Sequence, residues 1–201
     1  MKLNPTKCSF GVTSEKFLRF LVSQCEIEAN PEKIKAIIDM RNLNTKKEVQ
    51  QLNRRIIMLS QFISRSAERC LSFFKILRQE KDFSWPDECW QAFEDLKRYP
   101  TSPPLLVKLE VGEMLYLYLA TSPEAVSSVL VWKNKSRIYQ LIYYTSKVLH
   151  EVETRYSKAE KMIFALVISA QQLHPYFQAH AIVVLIDQPL RVILHRPDTS
   201  G

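Results

Sequence analysis

A proline-rich break divides the chain into two stretches of different hydrophobic pattern. Prolines stand at positions 100, 103 and 104, within the segment YPTSPPLL. Proline lacks the backbone N–H that a helix interior needs, and it disfavours helical geometry in the residue before it. Apolar residues recur at three- and four-residue spacing before the break, whereas short β-prone runs dominate after it. The sequence therefore predicts a mainly helical part over residues 1–100 and a strand-rich part over residues 101–201.

The first part begins with a predicted hairpin and continues with helices. The β-prone runs KCSFGV and KFLRFLVS are separated by TSE, which indicates a β-hairpin. Asn30 and Pro31 mark a helix start, because asparagine caps free N–H groups and proline suits the first helical position. Thr45 and Glu48 have the spacing of a capping box for a second helix. Its apolar positions keep helical spacing: Val49, Leu52, Ile56, Leu59 and Ile63. Further helices are predicted in SAERCLSFFKILRQ and FSWPDECWQAFEDLKRY.

The second part alternates strands with helices. Strands are predicted in EMLYLYLA, AVSSVLVW and SRIYQLIYYTS. A long helix that is apolar on most sides is predicted over residues 155–173. AHAIVVLID is a further strand, and QPLRVIL begins another helix. This order predicts a sheet of mixed direction covered by helices. The predicted fold class is therefore α+β, a β-hairpin and helical segment followed by a mixed α/β domain.

The composition limits the classes of function. The 201 residues are 46% hydrophobic and carry a net charge of +7, which is typical of a globular protein and favours polyanionic partners. Three glycines are too few for a glycine-rich phosphate loop, and four cysteines without CxxC spacing predict reduced thiols and no zinc site. The apolar run over residues 162–170 is too short to cross a bilayer, and the N-terminus lacks the apolar core of a leader peptide. We therefore expect an intracellular protein, in the cytoplasm or nucleus, with no membrane partner.

One face of the second predicted helix is basic and rich in amides. It carries Lys46, Lys47, Gln50, Gln51 and Arg54, opposite the apolar positions. Such a stripe is most often a solvated surface. The alternative is a contact surface for the phosphates of nucleic acid.

The order of these segments resembles the end of the reverse transcriptase of gypsy-type LTR retrotransposons. Its last palm hairpin and its thumb and connection helices are similar to five segments of this chain: KCSFGV, EKFLRFLVS, IEANPEKIKAI, KEVQQLNRRI and FSWPDECWQAFEDLK. The ribonuclease H-like (RNase H-like) domain that follows in such Pol polyproteins is similar to three further segments: LYLYLATSPEAVSSVLV, RYSKAEKMIFALV and HAIVVLIDQPLRVIL. The resemblance implies a palm-end hairpin with thumb and connection helices over residues 1–100. It implies a C-terminally truncated RNase H-like domain over residues 101–201.

The chain departs from the family pattern in the reverse transcriptase part. Arg19 and Asn53 stand where the family usually has glycine. The Arg19 side chain would either crowd a primer backbone or form a salt bridge to it. The paired aspartates of the polymerase centre belong upstream of this segment in the family. The resemblance therefore excludes polymerisation by this polypeptide alone.

The resemblance also implies a two-metal nuclease site that is only partly filled. The family holds Mg²⁺ or Mn²⁺ with acids from the first strand, the central helix, the fourth strand and a later helix. The first three positions are Ala120, Glu160 and Asp187 here, and the fourth lies past Gly201. Glu160 and Asp187 are therefore the vestigial catalytic and metal-binding candidates, with weak or no metal binding expected. Each has a structural alternative, Glu160 as the capping partner of Ser157 and Asp187 as the cap of the next helix.

Three interpretations of function follow. The first is an inactive fragment of a retrotransposon reverse transcriptase/RNase H polyprotein that binds RNA–DNA hybrids or other nucleic acid without sequence preference. Its candidate phosphate contacts are Lys16, Arg19, Lys46, Lys47, Arg54 and Arg55. The second is a part of an active RNA-directed DNA polymerase and ribonuclease H whose catalytic residues lie mostly outside this chain, with this domain as a tether. The third is an interaction scaffold or a non-functional remnant. The remainder of the Pol polyprotein is a further expected partner.

Overall fold

The described part of the chain forms two four-stranded sheets and a group of helices. A computed structural model describes residues 14–17, 20–23, 26–41, 43–78, 85–98, 106–107, 109–110, 112–134 and 136–186. The first sheet has the order β1-β2-β3-β4, and each pair of neighbours is antiparallel. Its strands are β1 Ser14–Phe17, β2 Phe20–Ser23, β3 Glu26–Ala29 and β4 Leu106–Val107.

The N-terminal hairpin turns at a different place from the predicted one. KFLRFLVS, predicted as one strand, contains a hairpin of its own, in which Phe17 of β1 pairs with Phe20 of β2. Ser14 and Glu15, predicted to lie in the turn, belong to β1 instead. Ser14 and Glu15 are extended, and the segment TSE contains no glycine, proline or asparagine to favour a turn there. The other predicted strand, KCSFGV, lies outside the described residues.

Helices between β3 and β4 build the first hydrophobic core. They are α1 Pro31–Ile38, α2 Lys46–Leu59, α3 Ser66–Arg69, α4 Leu71–Arg78 and α5 Asp87–Arg98, with a 3₁₀ turn over Ser60–Phe62. The Glu32 N–H donates to the Asn30 side chain, and Thr45 and Glu48 complete a capping box, so both predicted helix starts are confirmed. The five predicted apolar positions from residue 49 to residue 63 are all buried.

The second sheet has mixed strand directions, as predicted. Its order is β7-β6-β5-β8, and only β5 and β8 run parallel among the described pairs. The strands are β5 Leu115–Thr121, β6 Ala125–Lys133, β7 Tyr139–Val148 and β8 Ile182–Leu185. The helices α6 Glu151–Thr154, α7 Lys158–Gln172 and α8 His174–Ala179 lie between β7 and β8 in the chain. The predicted last helix, in QPLRVIL, lies outside the described residues.

Helix α7 packs on one face of this second sheet. The alternation of β5 directs Leu115, Leu117 and Leu119 into a core shared with Met162 and Ala165 of α7. A chain of buried hydroxyl groups also joins the helix to the sheet. The Ser169 hydroxyl lies 2.8 Å from that of Ser128, which lies 2.7 Å from that of Thr145. Satisfied polar groups of this kind fix the position of α7 along β6 and β7.

The helical part contacts the opposite face and the turn of the second sheet. Leu141 of β7 packs against the first hydrophobic core. The Ala67 N–H donates to the Ser146 hydroxyl at 3.1 Å, and Lys75 forms an ion pair with Glu124 at 3.1 Å. The two parts therefore share an interface built on β7.

Candidate functional site

The end of β5 borders an open cavity of about 590 Å³. Parallel pairing between β5 and β8 ends at Tyr118 and Leu185, and the cavity lies where the two strands are no longer paired. Ala120 lines it from β5, and Ile186 lines it just after β8. The other lining residues are Tyr118, Leu119, Thr121, Lys158, Met162 and Leu185. No carboxylate of the described residues lines this cavity.

Glu160 does not line the cavity, because its carboxylate caps the start of its own helix. It accepts the Ser157 N–H at 2.7 Å, and the Glu160 N–H donates to the Ser157 hydroxyl at 3.3 Å. The hydrogen bond from the Ser157 N–H to the carboxylate, together with one from the Ser157 side chain, lowers the pKa of Glu160 below its ordinary value. The capping alternative weighed for Glu160 is therefore what the structure contains.

Met162 of α7 lines the cavity together with Ala120, as does Lys158 at the start of the same helix. The Met162 side chain is buried, with 4% exposure. The resemblance mapped Glu160 onto the family's helix position. Lys158 and Met162 are four residues apart and share a face of α7, but which face of the helix borders the cavity is seen only in the structure.

Two further charged groups near the turn between β5 and β6 have structural contacts. Glu124, in that turn, is the acid nearest to Ala120 in the sequence, but it forms the ion pair with Lys75 of α4. Lys161 is buried, with 8% exposure, and its ammonium donates to the Pro123 carbonyl at 2.9 Å. This hydrogen bond joins α7 to the turn and was not anticipated from the sequence.

The residues described at the end of β5 do not fit a pair of divalent ions. Mg²⁺ and Mn²⁺ need several converging oxygen ligands, and the side chains of Ala120 and Met162 supply none. Within the described residues, no group of three or more histidine, cysteine, aspartate or glutamate side chains is placed to hold a metal. Asp187 lies outside the described residues and stays a sequence-based candidate.

The basic face of α2 contains exposed and packed side chains. Lys47 and Arg54 are exposed, and Lys46 is half-buried. The Arg55 guanidinium donates to the Ala36 carbonyl, so it joins α2 to α1. The side chain of Lys16 and the whole of Arg19 lie outside the described residues. Lys47 and Arg54 are thus the exposed members of the predicted phosphate-contact set on α2.

No helix in the described ranges is long and apolar enough to cross a membrane.

Comparison with known sequences identifies the second half of the chain. The profile of the RNase H-like domain found in reverse transcriptase matches residues 85–184. The Tf2-3 and Tf2-4 transposon polyproteins of Schizosaccharomyces pombe are each 23% identical over 177 residues, which is 88% of this chain. The chain spans 13% of the length of these relatives.

Comparison with solved structures supports the fold of both halves. The foamy viral protease-reverse transcriptase in complex with dsDNA has a TM-score of 0.72 at 16% identity, over 94% of this chain and 40% of that one. The foamy viral enzyme in complex with RNA/DNA hybrid has a TM-score of 0.71 at 16% identity, over 92% of this chain and 25% of that one. Together with the sequence matches, this likeness confirms the expected family and the α+β fold. Residues 85–184 belong to the RNase H-like domain family found in reverse transcriptase, and the chain as a whole is similar to the reverse transcriptase/RNase H-like region of retroelement Pol polyproteins.

Proposed function

We propose that this chain is a non-catalytic part of a retroelement Pol protein that binds nucleic acid but does not cleave RNA. The observation that carries the proposal is the cavity at the end of β5, which Ala120 and Met162 line and to which the described residues contribute no carboxylate. Ribonuclease H chemistry needs carboxylates that hold two divalent ions about 3.5–4 Å apart. With neither residue able to ligate a cation, metal affinity and transition-state stabilisation are lost together. Losing members of such a cooperative site costs several orders of magnitude in rate.

The proposed binding role rests on charge and on the fold. The protein carries a net charge of +7, and α2 exposes Lys47 and Arg54 on one face. The two similar foamy viral structures are complexes with dsDNA and with RNA/DNA hybrid. We extend this ligand class to the present chain, with phosphate contacts that do not depend on base sequence. Such a protein would act where the element's nucleic acid is, in the cytoplasm or nucleus.

The decisive experiment is a cleavage assay on an RNA–DNA hybrid in Mg²⁺ or Mn²⁺. We expect no cleavage above that of a preparation without the protein. Turnover that disappears in Glu160→Gln or Asp187→Asn would show that these acids still serve a working site and would refute the proposal. Circular dichroism must show that both variants are folded at the assay temperature for the comparison to hold.

Binding is tested by measuring the hybrid affinity at several salt concentrations. We expect the affinity to fall steeply with salt and the Lys47→Gln/Arg54→Gln variant to have a slope shallower by about 1.8, because each contact to a B-form duplex contributes about 0.9. The matched control is Lys33→Gln/Lys35→Gln, which removes two charges from α1. A hybrid affinity that does not change with salt contradicts the phosphate contacts.

A second candidate function follows from the length comparison. The chain spans 13% of its polyprotein relatives, so catalytic groups elsewhere in a Pol protein are compatible with a tethering role for this domain. Adding the present chain in trans to an active reverse transcriptase/RNase H from such an element would then change its processivity. An unchanged processivity would contradict the tethering role but not the proposed nucleic-acid binding.

A further inference from the structure

An exposed aromatic cluster lies on the face of the second sheet opposite to α7. Tyr116 and Tyr118 alternate along β5 with the buried leucines, so their side chains project from the face of the sheet that α7 does not cover. Tyr139 of β7 joins them, with ring centroids 5.9 Å from Tyr116 and 6.2 Å from Tyr118. Tyr118 is 38% exposed and Tyr139 is 47% exposed. We call these three residues the tyrosine cluster.

Positive charge lies directly beside the tyrosine cluster. The Lys133 ammonium lies 5.3 Å from the centroid of the Tyr139 ring, and Arg137 is exposed in the turn between β6 and β7. Neither cation forms an ion pair with a carboxylate of the described residues. The sequence from residue 125 to residue 150 contains no aspartate or glutamate but includes a further lysine at position 135. This hairpin therefore favours an anionic ligand.

The turn that carries these cations is held by its own hydrogen bonds. The Asn134 N–H donates to the Ile138 carbonyl at 3.0 Å, and the Asn134 side-chain oxygen accepts the Ile138 N–H at 2.9 Å. The Arg137 N–H donates to the Asn134 carbonyl at 2.9 Å, with Arg137 in the left-handed region at φ 62°. The backbone of the turn is thus preformed, and the Lys133 ammonium lies over the Tyr139 ring before any ligand binds, which lowers the entropic cost of binding.

We propose that the tyrosine cluster, with Lys133 and Arg137 beside it in the hairpin of β6 and β7, binds single-stranded nucleic acid. Bases would stack on the exposed rings of Tyr118 and Tyr139, and phosphates would contact Lys133 and Arg137. A duplex is disfavoured on this surface because its bases already stack on one another, whereas single-strand bases are free to stack on aromatic side chains. The proposal shares its ligand class with the proposed function but uses a different surface and a different form of nucleic acid.

Charge decides between nucleic acid and a protein as the occupant. An exposed aromatic surface by itself suits either partner. The absence of acids across residues 125–150, together with Lys133 beside the Tyr139 ring and Arg137 exposed in the adjoining turn, gives complementarity to a polyanion. A second copy of this chain would instead bring cations against cations, which is unfavourable.

The test is binding of a fluorescently labelled oligothymidylate, measured by anisotropy. We expect Tyr118→Ala and Tyr139→Ala each to weaken binding at least about fivefold, because stacking on one aromatic ring contributes about 1–3 kcal/mol per base. Tyr118→Phe retains the ring and should stay within about twofold of wild type. Lys133→Gln/Arg137→Gln should reduce the salt slope by about 1.4, since each single-strand phosphate contact contributes about 0.7.

The matched controls separate this surface from the rest of the molecule. Tyr156 is also 38% exposed, but it pairs with Phe164, so Tyr156→Ala should leave oligothymidylate binding unchanged. Lys47→Gln/Arg54→Gln should weaken hybrid binding and leave oligothymidylate binding intact.

Two results would overturn the proposal. One is wild-type affinity for oligothymidylate in folded Tyr118→Ala and Tyr139→Ala proteins. The other is a loss of self-association in those variants without any loss of oligothymidylate binding, which would assign the surface to a protein contact. Oligothymidylate binding through the tyrosines without any hybrid binding would refute only the hybrid contact on α2.

Discussion

At the scale of single residues, the candidate nuclease site was only partly predictable from the sequence. The resemblance drew attention to Ala120, and the structure places it beside the cavity at the end of β5. The resemblance mapped Glu160 onto the family's helix position, and in the structure its carboxylate accepts a hydrogen bond from the Ser157 N–H. Which helix residue lies in a cavity depends on how α7 is rotated on the sheet. That rotation is set by tertiary contacts, so sequence proximity to an acid could not identify Met162.

Restoring the missing oxygens should restore metal binding. We predict that Ala120→Asp/Met162→Glu melts below wild type without metal, because Met162 is buried, with 4% exposure, and a buried carboxylate is unfavourable. Mn²⁺ should then stabilise this variant by about 2.7 kcal/mol at a hundredfold excess over Kd, with Asp187 as the expected third acid. Thermal melting with and without Mn²⁺ measures both effects.

The uncharged variant Ala120→Asn/Met162→Gln is the matched control and should gain much less from Mn²⁺. An equal rise in the melting temperature of the wild-type protein would show that the native cavity already binds the ion.

The lowered pKa of Glu160 predicts a dependence of stability on pH. A carboxyl group with a lower pKa in the folded state stabilises the protein above its unfolded pKa, and this contribution is lost as pH falls through the folded pKa. Wild type should therefore lose more free energy of unfolding than Glu160→Gln between about pH 5.5 and pH 3. Urea unfolding across this range provides the measurement, and parallel curves for the two proteins would contradict it.

At the scale of elements, helix starts were predicted better than strand ends. Caps are local, so Asn30 and the Thr45–Glu48 pair could be identified from a few neighbouring residues. The hairpin of β1 and β2 was misplaced, and the sheet it belongs to is completed by a strand that is distant in the sequence. The β4 strand comes from residues 106–107, far from its partner in the sequence. Local patterns contain no information about such a pairing.

Helix α2 contains a polar residue that works against its stability. Asn53 is buried, with 5% exposure, and neither polar atom of its side chain has a hydrogen-bond partner in the described structure. An unsatisfied buried amide costs about 1–3 kcal/mol, and alanine is the best helix former. We predict that Asn53→Ala raises the free energy of unfolding by about 1 kcal/mol in urea titration.

The neighbouring Leu52→Ala is the contrasting variant, since Leu52 is fully buried and apolar. It should lose about 2–5 kcal/mol. Destabilisation by Asn53→Ala would indicate that the amide has a partner, such as a bound water molecule, in solution.

At the scale of the whole molecule, the sequence indicated two parts but not their interface. The proline-rich break suggested separate units with a boundary near residue 100. The contacts of Leu141, Ser146 and Glu124 with the helical part join them through β7 and the neighbouring turn. Interfaces between parts depend on side chains that are distant in the sequence, so no local pattern predicts them. The match to the family profile also begins at residue 85, before the predicted boundary.

This interface predicts that the two parts unfold together. Tryptophan fluorescence can follow each part separately, because Trp85 and Trp90 pack on the first core and Trp132 packs on the second. The Trp132→Phe variant reports on the first part, and the Trp85→Phe/Trp90→Phe variant reports on the second. For each variant, we expect the denaturation midpoint from tryptophan fluorescence to equal the midpoint from circular dichroism. Leu141→Asp, which places a charge in the interface, should separate the two transitions. Distinct fluorescence and dichroism midpoints without that substitution would mean that the parts unfold independently.

The hydrogen bond from the Lys161 ammonium to the Pro123 carbonyl has a consequence for the architecture of this region. Metal-dependent folds loosen when a chelator removes the ion that ties their elements together. Here a side chain of the protein itself fastens the central helix to the tip of the neighbouring ribbon. This hydrogen bond needs no metal ion, so we predict that treatment with EDTA leaves the packing of α7 against the turn between β5 and β6 unchanged.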